Sequence, residues 1–528
     1  MDVVAHSPNF FYHQHDLEFV RLSHLNLNGE FPNWLLENNT KLESNFLLNN
    51  SLPGLFLLPI HCHKSLMLLD VSNNNLQGHI PVKIGDFLPS LKYFNISMNA
   101  FDSSIPTSFG NMNFLISLDL SNNQLTGEIP EHLAMGCVDL EYLLLSNNSL
   151  EGHLFPRNFN LTNLRRLQLD GNHFREILES LSKCSSLEGL YLSDNNLSGK
   201  IPRWLGNLSM LQHIILPENH FEGPIPMEFC QLDSLQILNI SDNNISGIYH
   251  HASILSLSKD QLVLAHNNFE GEVPIQLCQL NKLQLIDLSN NILSGHIPPC
   301  LDNTTLHESY IDTSSPESSE TSFVDEGFAF YKEKKIQETF KFTTKNIAYT
   351  YRGRVISYLS ELDLSYNKLI GQIPPQIGNL TRIQTLNLSY NNLTGSIPST
   401  FSNLKHIKSL DLSYNKLDGK IPLQLVELNT LAVFNVAHNN LSGKIPEWTA
   451  QFATFNESSY EGNPFLCGLP LPKSCNEKAS PATEPKTSTS RGKDDYLIDM
   501  DSFYISFTIS YIIVILGIMG VLYVNPYW

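Results

Sequence analysis

The chain has 528 residues, with 33 Lys and Arg against 52 Asp and Glu, for a formal net charge of -19. That balance excludes a basic face for nucleic acid, and with no block of like charge it reads as a solvated surface. Eight cysteines in this length exclude a disulfide-dense scaffold.

The N-terminus, MDVVAHSPNFFYHQHD, has neither a basic n-region nor an apolar h-region, so it does not read as a signal peptide. A repeat follows. LISLDLSNNQLTGEIP from Leu115, LEGLYLSDNNLSGKIP from Leu187 and IKSLDLSYNKLDGKIP from Ile407 share the pattern LxxLxLSxNxLxGxIP. Its Asn falls at Asn50, Asn74, Asn99, Asn123, Asn148, Asn172, Asn195, Asn219, Asn243, Asn267 and Asn291, then at Asn367, Asn391, Asn415 and Asn439. With an earlier repeat from Leu17, where Leu25 takes the Asn slot, there are sixteen. In LxxLxL the leucines point inward from a short strand and the residues between them face out on the concave side. One repeat cannot bury its leucines alone, so the repeats must stack. Each Asn turns inward to pair backbone groups of the turn. The expected fold is an α/β-type leucine-rich-repeat solenoid, right-handed and curved, from about Leu17 to Pro446, with a parallel sheet on its concave face.

Residues 1–300 hold about twelve repeats, and an island of roughly 301–358 interrupts them. The island is Ser/Thr/Glu-rich at first and then alternates aromatics and charges from Phe328 to Tyr351, which suits strands. Four repeats resume over 359–447. A cap at 448–476 carries Cys467 and Cys475, eight apart in a Gly/Pro-rich segment suited to a disulfide. An acidic linker, 477–501, leads to an uncharged stretch from Phe503 to Val524. Its 22 residues are enough to cross about 30 Å of hydrocarbon. The expected transmembrane helix is 502–525, with a stub of 526–528 beyond it.

This series of GxIP repeats, island, four repeats, NPxLCGxPLxxxC cap, acidic stretch (Asp494, Asp495, Asp499, Asp501) and LYVNPYW end resembles the plant leucine-rich-repeat receptor-like proteins over the whole chain. The resemblance implies a second short strand at GxIP, a superhelical twist, and a kinase-lacking receptor for an extracellular peptide or protein in defence or development. It also implies signalling through membrane adaptor and co-receptor receptor kinases. The expected location is the plasma membrane, single-pass, with the N-terminal side outside. The family has a signal peptide, a cysteine-containing N-terminal cap and further repeats where this chain begins, and a short basic tail where it ends. The chain therefore reads as a partial product whose first repeat exposes its leucines. The rival reading is a soluble leucine-rich-repeat inhibitor of cell-wall-degrading enzymes, which lacks both an island and a span. A truncated receptor kinase is a third, opposed by the NPYW end.

No glycine-rich phosphate loop, VAIK, HRD or DFG string occurs, so the chain reads as no kinase and no enzyme. His61 and His63, like His13 and His15, lack further ligands at metal-site spacing; neither a metal nor another cofactor is expected. Binding residues are expected on the concave strands at Tyr93, Tyr142, Arg165, Arg166, Gln168, Tyr191 and His213, because Tyr and Arg dominate interface energetics. Partner contacts are expected where the island rejoins the repeats, at Lys345, Tyr349, Tyr351, Arg352 and Gly353. Of fifteen N-x-S/T sequons, glycans are expected at Asn38, Asn95, Asn147, Asn160, Asn196, Asn207, Asn303, Asn379, Asn392 and Asn456. Asn95, Asn239 and Asn387 are concave, where a glycan would close the face to a ligand. Cys184, Cys230 and Cys278 stand about two repeats apart, roughly 10 Å and too far to bridge. Cys278 and Cys300 fall in adjacent repeats and are either a disulfide or two buried thiols.

Overall fold

The computed structural model describes residues 12–154, 161–248, 260–280, 283–303, 339–344, 347–352, 360–447 and 449–475. Each LxxLxL forms a strand of three residues, and sixteen of them pair in parallel, from Phe19–Arg21 to Val433–Asn435. The middle residue of each faces the interior: Leu118, Leu167, Leu190, Leu362 and Leu410 are all fully buried. The island does not disturb the stack. Leu285–Asp287 before it pairs directly with Glu361–Asp363 after it, Asp287 opposite Asp363.

Behind the sheet, the α-helices expected of an α/β solenoid are mostly 3₁₀ turns, such as Thr107–Asn111, Pro375–Asn379 and Ser399–Asn403. Among the described residues only Trp34–Asn38, Ile84–Phe87 and Glu131–Gly136 are α-helical. The cause is length: about five residues lie between the Pro of GxIP and the next inward leucine, too few to nucleate an α-helix. Stacking there is close. A Cβ on Gly378 would stand 2.5 Å from the Thr400 carbonyl oxygen of the next repeat.

The GxIP segments form the second strand that the resemblance implies. Six pair from Pro53–Leu55 to His173–Glu176 and five from Ser198–Lys200 to Ile292–Ser294. Gly127 shows why glycine stands there, at φ +78°. The first set stops in the repeat NHFREIL, where Glu176 takes the glycine position.

The asparagine ladder closes the turns. Asn219 Oδ1 accepts from Leu197 N–H at 3.0 Å, and its Nδ2 donates to the Leu192 and Leu216 carbonyls at 2.8 and 3.2 Å. Asn123 and Asn415 repeat this pattern, each joining its own turn to the repeat before it. Asn463, in the cap and absent from the fifteen expected positions, extends the ladder to Leu441 N–H at 3.0 Å.

The first repeat departs from expectation. Val20, Leu22 and Leu27 are buried, packed in the same core as Leu35 and Leu36 of the helix Trp34–Asn38. Phe19 and Leu25 are the ones exposed. At the other end Ser442–Lys444 pairs with Phe465–Cys467, and Cys467 is bonded to Cys475. Cys278 and Cys300 also form a disulfide, with Cα atoms 5.5 Å apart, whereas Cys137 and Cys184 are buried thiols. In the island, Thr339–Thr344 and Ile347–Arg352 make an antiparallel hairpin. The expected transmembrane stretch lies outside the described residues; among those described, no helix is long and apolar enough to cross a membrane.

A candidate ligand face on the concave sheet

Two rows of side chains run across the concave face, one from each outward position of the strands. The first row reads Tyr93, Ser117, Tyr142, Arg166, Gly189, His213, Ile237, Gln261, Leu285 and Glu361, each in register with the next. The second passes through Gln168, Tyr191, Ile215, Asn239, Val263, Asp287 and Asp363. Four of the expected residues thus lie in one row, and Tyr191 and Gln168 in its neighbour.

Tyr191 ties them together. Its hydroxyl meets His213 Nδ1 at 2.7 Å, and the Arg166 guanidinium stands over its ring, 5.3 Å from the centroid. Gly189, between Arg166 and His213, makes this possible: a Cβ there would lie 2.7 Å from Tyr191 Cε2, so the ring crosses the space a side chain would fill. Arg166 Nη1 is buried without a hydrogen-bond partner. An orphaned guanidinium nitrogen beside an aromatic ring is a ready donor for a carboxylate or carbonyl oxygen. Tyr191 also packs with Ile215 and Ile237 in a small apolar cluster separate from the interior core.

Arg165 is differently placed. It stands one residue before its strand and is held by Glu188, through Nε at 2.9 Å and Nη2 at 2.5 Å, with Glu141 at 3.8 Å. The Glu188 hydrogen bond raises its pKa, although its own charge state is never in question. Burial, and then the Glu141 carboxylate, raise the pKa of Tyr93.

Farther along, the face turns acidic. Asp363 Oδ1 accepts from Ser365 N–H at 2.9 Å and Oδ2 from Asn387 Nδ2 at 2.9 Å; Asp287 holds Ser289 N–H at 3.0 Å. These aspartates belong to the repeat, which reads IDLS at the first place and LDLS at the second. Glu361 does not, and its Oε2 is buried and unpartnered. Burial, with the charges of Asp287 and Asp363 next, pushes Glu361 up to about 9; burial likewise lifts Asp363 to about 7 and Asp287 to about 6.

Other expected residues fall elsewhere. Tyr349, Tyr351 and Arg352 lie in the second hairpin strand, opposite Phe342, Phe340 and Thr339 in register. Lys345 and Gly353 lie outside the described residues, as does the sequon Asn160. Asn196, Asn207, Asn379 and Asn456 are exposed on the surface. Asn147 is exposed but donates to Asn122 Oδ1 at 3.0 Å, and Asn392 and Asn38 are half-buried. Asn303 ends the turn Pro299–Asn303. Asn95 differs from the rest: it is 1% exposed and its Oδ1 accepts from both Ser97 N–H and Ser97 Oγ–H, leaving no room for a glycan. Asn239 is buried by the same contacts to Ser241, so the concave face keeps its floor clear there. His63 is buried, with Nε2 to the Asn39 carbonyl at 3.0 Å and Nδ1 accepting from Leu66 N–H at 3.2 Å. Both nitrogens serve the fold.

Family models described as leucine rich repeat match residues 89–150, 162–221, 357–417 and 381–441, and a second such model matches 65–87, 234–252 and 282–304; together they run over just over half of the chain. A relative named Cuscuta receptor 1, from Solanum lycopersicum, is 60% identical over 195 residues, 37% of this chain and 17% of its own length. Receptor-like protein 15 of Arabidopsis thaliana is 44% identical over 167 residues, 32% of this chain and again 17% of its own. The chain therefore aligns with about a sixth of the length of either relative. Among solved structures, the Arabidopsis receptor kinase HAESA, in complex with the peptide hormone IDA and the co-receptor SERK1, superposes with a TM-score of 0.60 at 28% identity, covering 88% of this chain and 76% of that one. The chain belongs to the leucine-rich-repeat proteins, and over the stretches that align it is similar to plant proteins named as receptors and receptor-like proteins.

Proposed function

We propose that this chain is the ligand-reading part of a cell-surface receptor, which binds an extracellular peptide or protein on its concave sheet and signals by recruiting partner receptor kinases. The observation that carries it is the constellation of Arg166, Tyr191 and His213 over Gly189, with a buried, unpaired guanidinium nitrogen on the outward face. A fold needs no such group; a ligand that brings an acceptor does. The likeness to ectodomains solved with peptide hormones supports this use of the face. In this reading the stretch 502–525 anchors the receptor in the plasma membrane. Glycans sit on Asn196, Asn207, Asn379 and Asn456, away from the concave rows. The island hairpin helps hold a co-receptor, in defence or in development.

The test is peptide capture from plant extracellular fluid by the full chain, compared with an Arg166→Ala, Tyr191→Ala variant. Truncating two such anchors costs on the order of 2 kcal/mol or more, so recovery of bound peptide should fall at least tenfold at unchanged thermal stability. Equal recovery by the two proteins would overturn the reading.

A further inference from the structure

Glu361 sits in a row whose other members owe nothing to the repeat, so no demand of the fold placed a carboxylate there. It is 1% exposed, with Oε2 unpartnered, beside Asp287 and Asp363 on the same face. Two strands away in the same row, Gln261 is 5% exposed and its Oε1 is also unpartnered. The amide is uncharged, so its orphaned oxygen is independent of the acidic cluster. Both ask for a donor. Lys408, the cation whose field reaches Glu361, already donates to Gln384 Oε1 at 2.8 Å. Unpaired buried acceptors with a carboxylate among them are costly, and a donor-rich cation is what relieves them. The opposite demand stands farther back along the row, where Arg166 Nη1 lacks an acceptor. Between the two, Ile215, Ile237, Val263 and Leu285 give the floor an apolar stretch, shared with His213, Asn239 and Gln261.

We infer that this face takes a peptide of fixed charge polarity, with a Lys or Arg side chain seated against Glu361 and an acidic group reaching Arg166. The inference rests on the peptide-reading role proposed above. Six strand steps separate Arg166 from Glu361 in register, about 29 Å at roughly 4.8 Å per step. An extended peptide covers that in about nine residues, at roughly 3.3 Å each. The ligand class is therefore an extended peptide with one basic and one acidic residue about eight or nine positions apart and apolar side chains between.

The probe is a fluorescein-labelled twelve-residue peptide with Arg and Asp nine positions apart and a Leu/Ser spacer, read by fluorescence anisotropy on the full chain. Controls replace Arg by norleucine, replace Asp by Asn, or bring the two charges within four residues. The Arg/Asp peptide should bind at least tenfold more tightly than the norleucine control. That advantage should vanish in Glu361→Gln, while Arg166→Gln should erase only the preference for Asp over Asn. Glu361→Gln puts a neutral amide of the same shape where a buried carboxyl lacks a partner on Oε2, so its melting temperature should hold or rise, which separates lost recognition from lost folding. Equal binding of the Arg and norleucine peptides overturns the proposal, as does an Arg preference that survives Glu361→Gln, or no binding by any of the set. A preference that emerges only after Lys332, Lys334 and Lys335 are replaced by Gln also overturns it, since the carboxylates would then belong to the chain's own lysines. Capture of natural peptides that depends on Arg166 and Tyr191 but not on Glu361 would leave the receptor reading standing and sink this inference alone.

Discussion

The ladder asparagines illustrate what single side chains contribute here. Asn415 accepts from Leu393 N–H and donates to the carbonyls of Leu388 and Leu412, all buried. Asn415→Ala leaves the buried Leu393 N–H unpaired and takes one of two donors from each of the two carbonyls, which also accept from Asn391 and Asn439, at a cost of about 1–3 kcal/mol, and urea unfolding should register it as a lower midpoint. A loss under 0.5 kcal/mol would contradict the role given to the ladder. Glu361 makes the opposite prediction. Its folded pKa is raised to about 9 from an ordinary 4.5, so the folded state keeps a proton that the unfolded chain has released between those values. Stability therefore declines as pH rises from about 4.5 to about 9, by at most about 1.4 kcal/mol per pH unit from this group. Asp363, raised to about 7, and Asp287, raised to about 6, slope the same way over narrower windows. The groups acting on these three are Thr385, Ser289, Ser365, Asn387, Lys408 and Asp242. Melting from pH 5 to 9 should show a steady fall that Glu361→Gln flattens. A profile identical in the two proteins would remove Glu361 from the account.

The repeat elements were legible in the sequence because a leucine at fixed spacing has only one way to be buried. The asparagine slot was legible for the same reason, since an amide turned inward must find partners. The concave candidates Tyr142, Arg166, Tyr191 and His213 could be listed from their strand positions, but Gly189 could not be recognised as the residue that lets Tyr191 reach two neighbours. Its signal was a glycine in an outward strand position, where glycine is disfavoured. Glu361 was hidden differently: its place in the row became visible only once strands 285–287 and 361–363 were seen to pair across the island. The α-helices expected behind the sheet were too short to form. Gly189→Ala forces Tyr191 aside, an overpacking cost of about 1–3 kcal/mol. Peptide capture should fall with it, in the same direction as in the Arg166→Ala, Tyr191→Ala variant; unchanged capture would mean the ring's position is immaterial. The hairpin Thr339–Thr344 with Ile347–Arg352 is the element proposed to meet a co-receptor. In a full-length receptor, Tyr351→Ala with Arg352→Ala should reduce ligand-induced co-immunoprecipitation of the co-receptor kinase at normal surface expression. Unchanged association, or loss of expression alone, would discard that role.

At the scale of the whole solenoid, stability is a sum over neighbouring repeats, so its ends decide where unfolding begins. The Cys467–Cys475 bridge closes an eight-residue segment, worth about 2–3 kcal/mol by loop entropy. Cys467→Ser with Cys475→Ser should therefore speed amide exchange in 433–447 while leaving 117–154 protected. The same one-dimensional order gives the concave face its sense of direction: a cationic and aromatic end at Arg166, an apolar middle, and an acidic end at Glu361. Binding along that line is the central claim, and site-specific photo-crosslinking tests it most directly. A benzophenone side chain placed at Gln168, in the Arg166 strand on the concave face, and another at Met227 on the outer turn, would be irradiated with captured peptide bound. The account predicts that the adduct forms at Gln168 and not at Met227; an adduct confined to Met227 would contradict it.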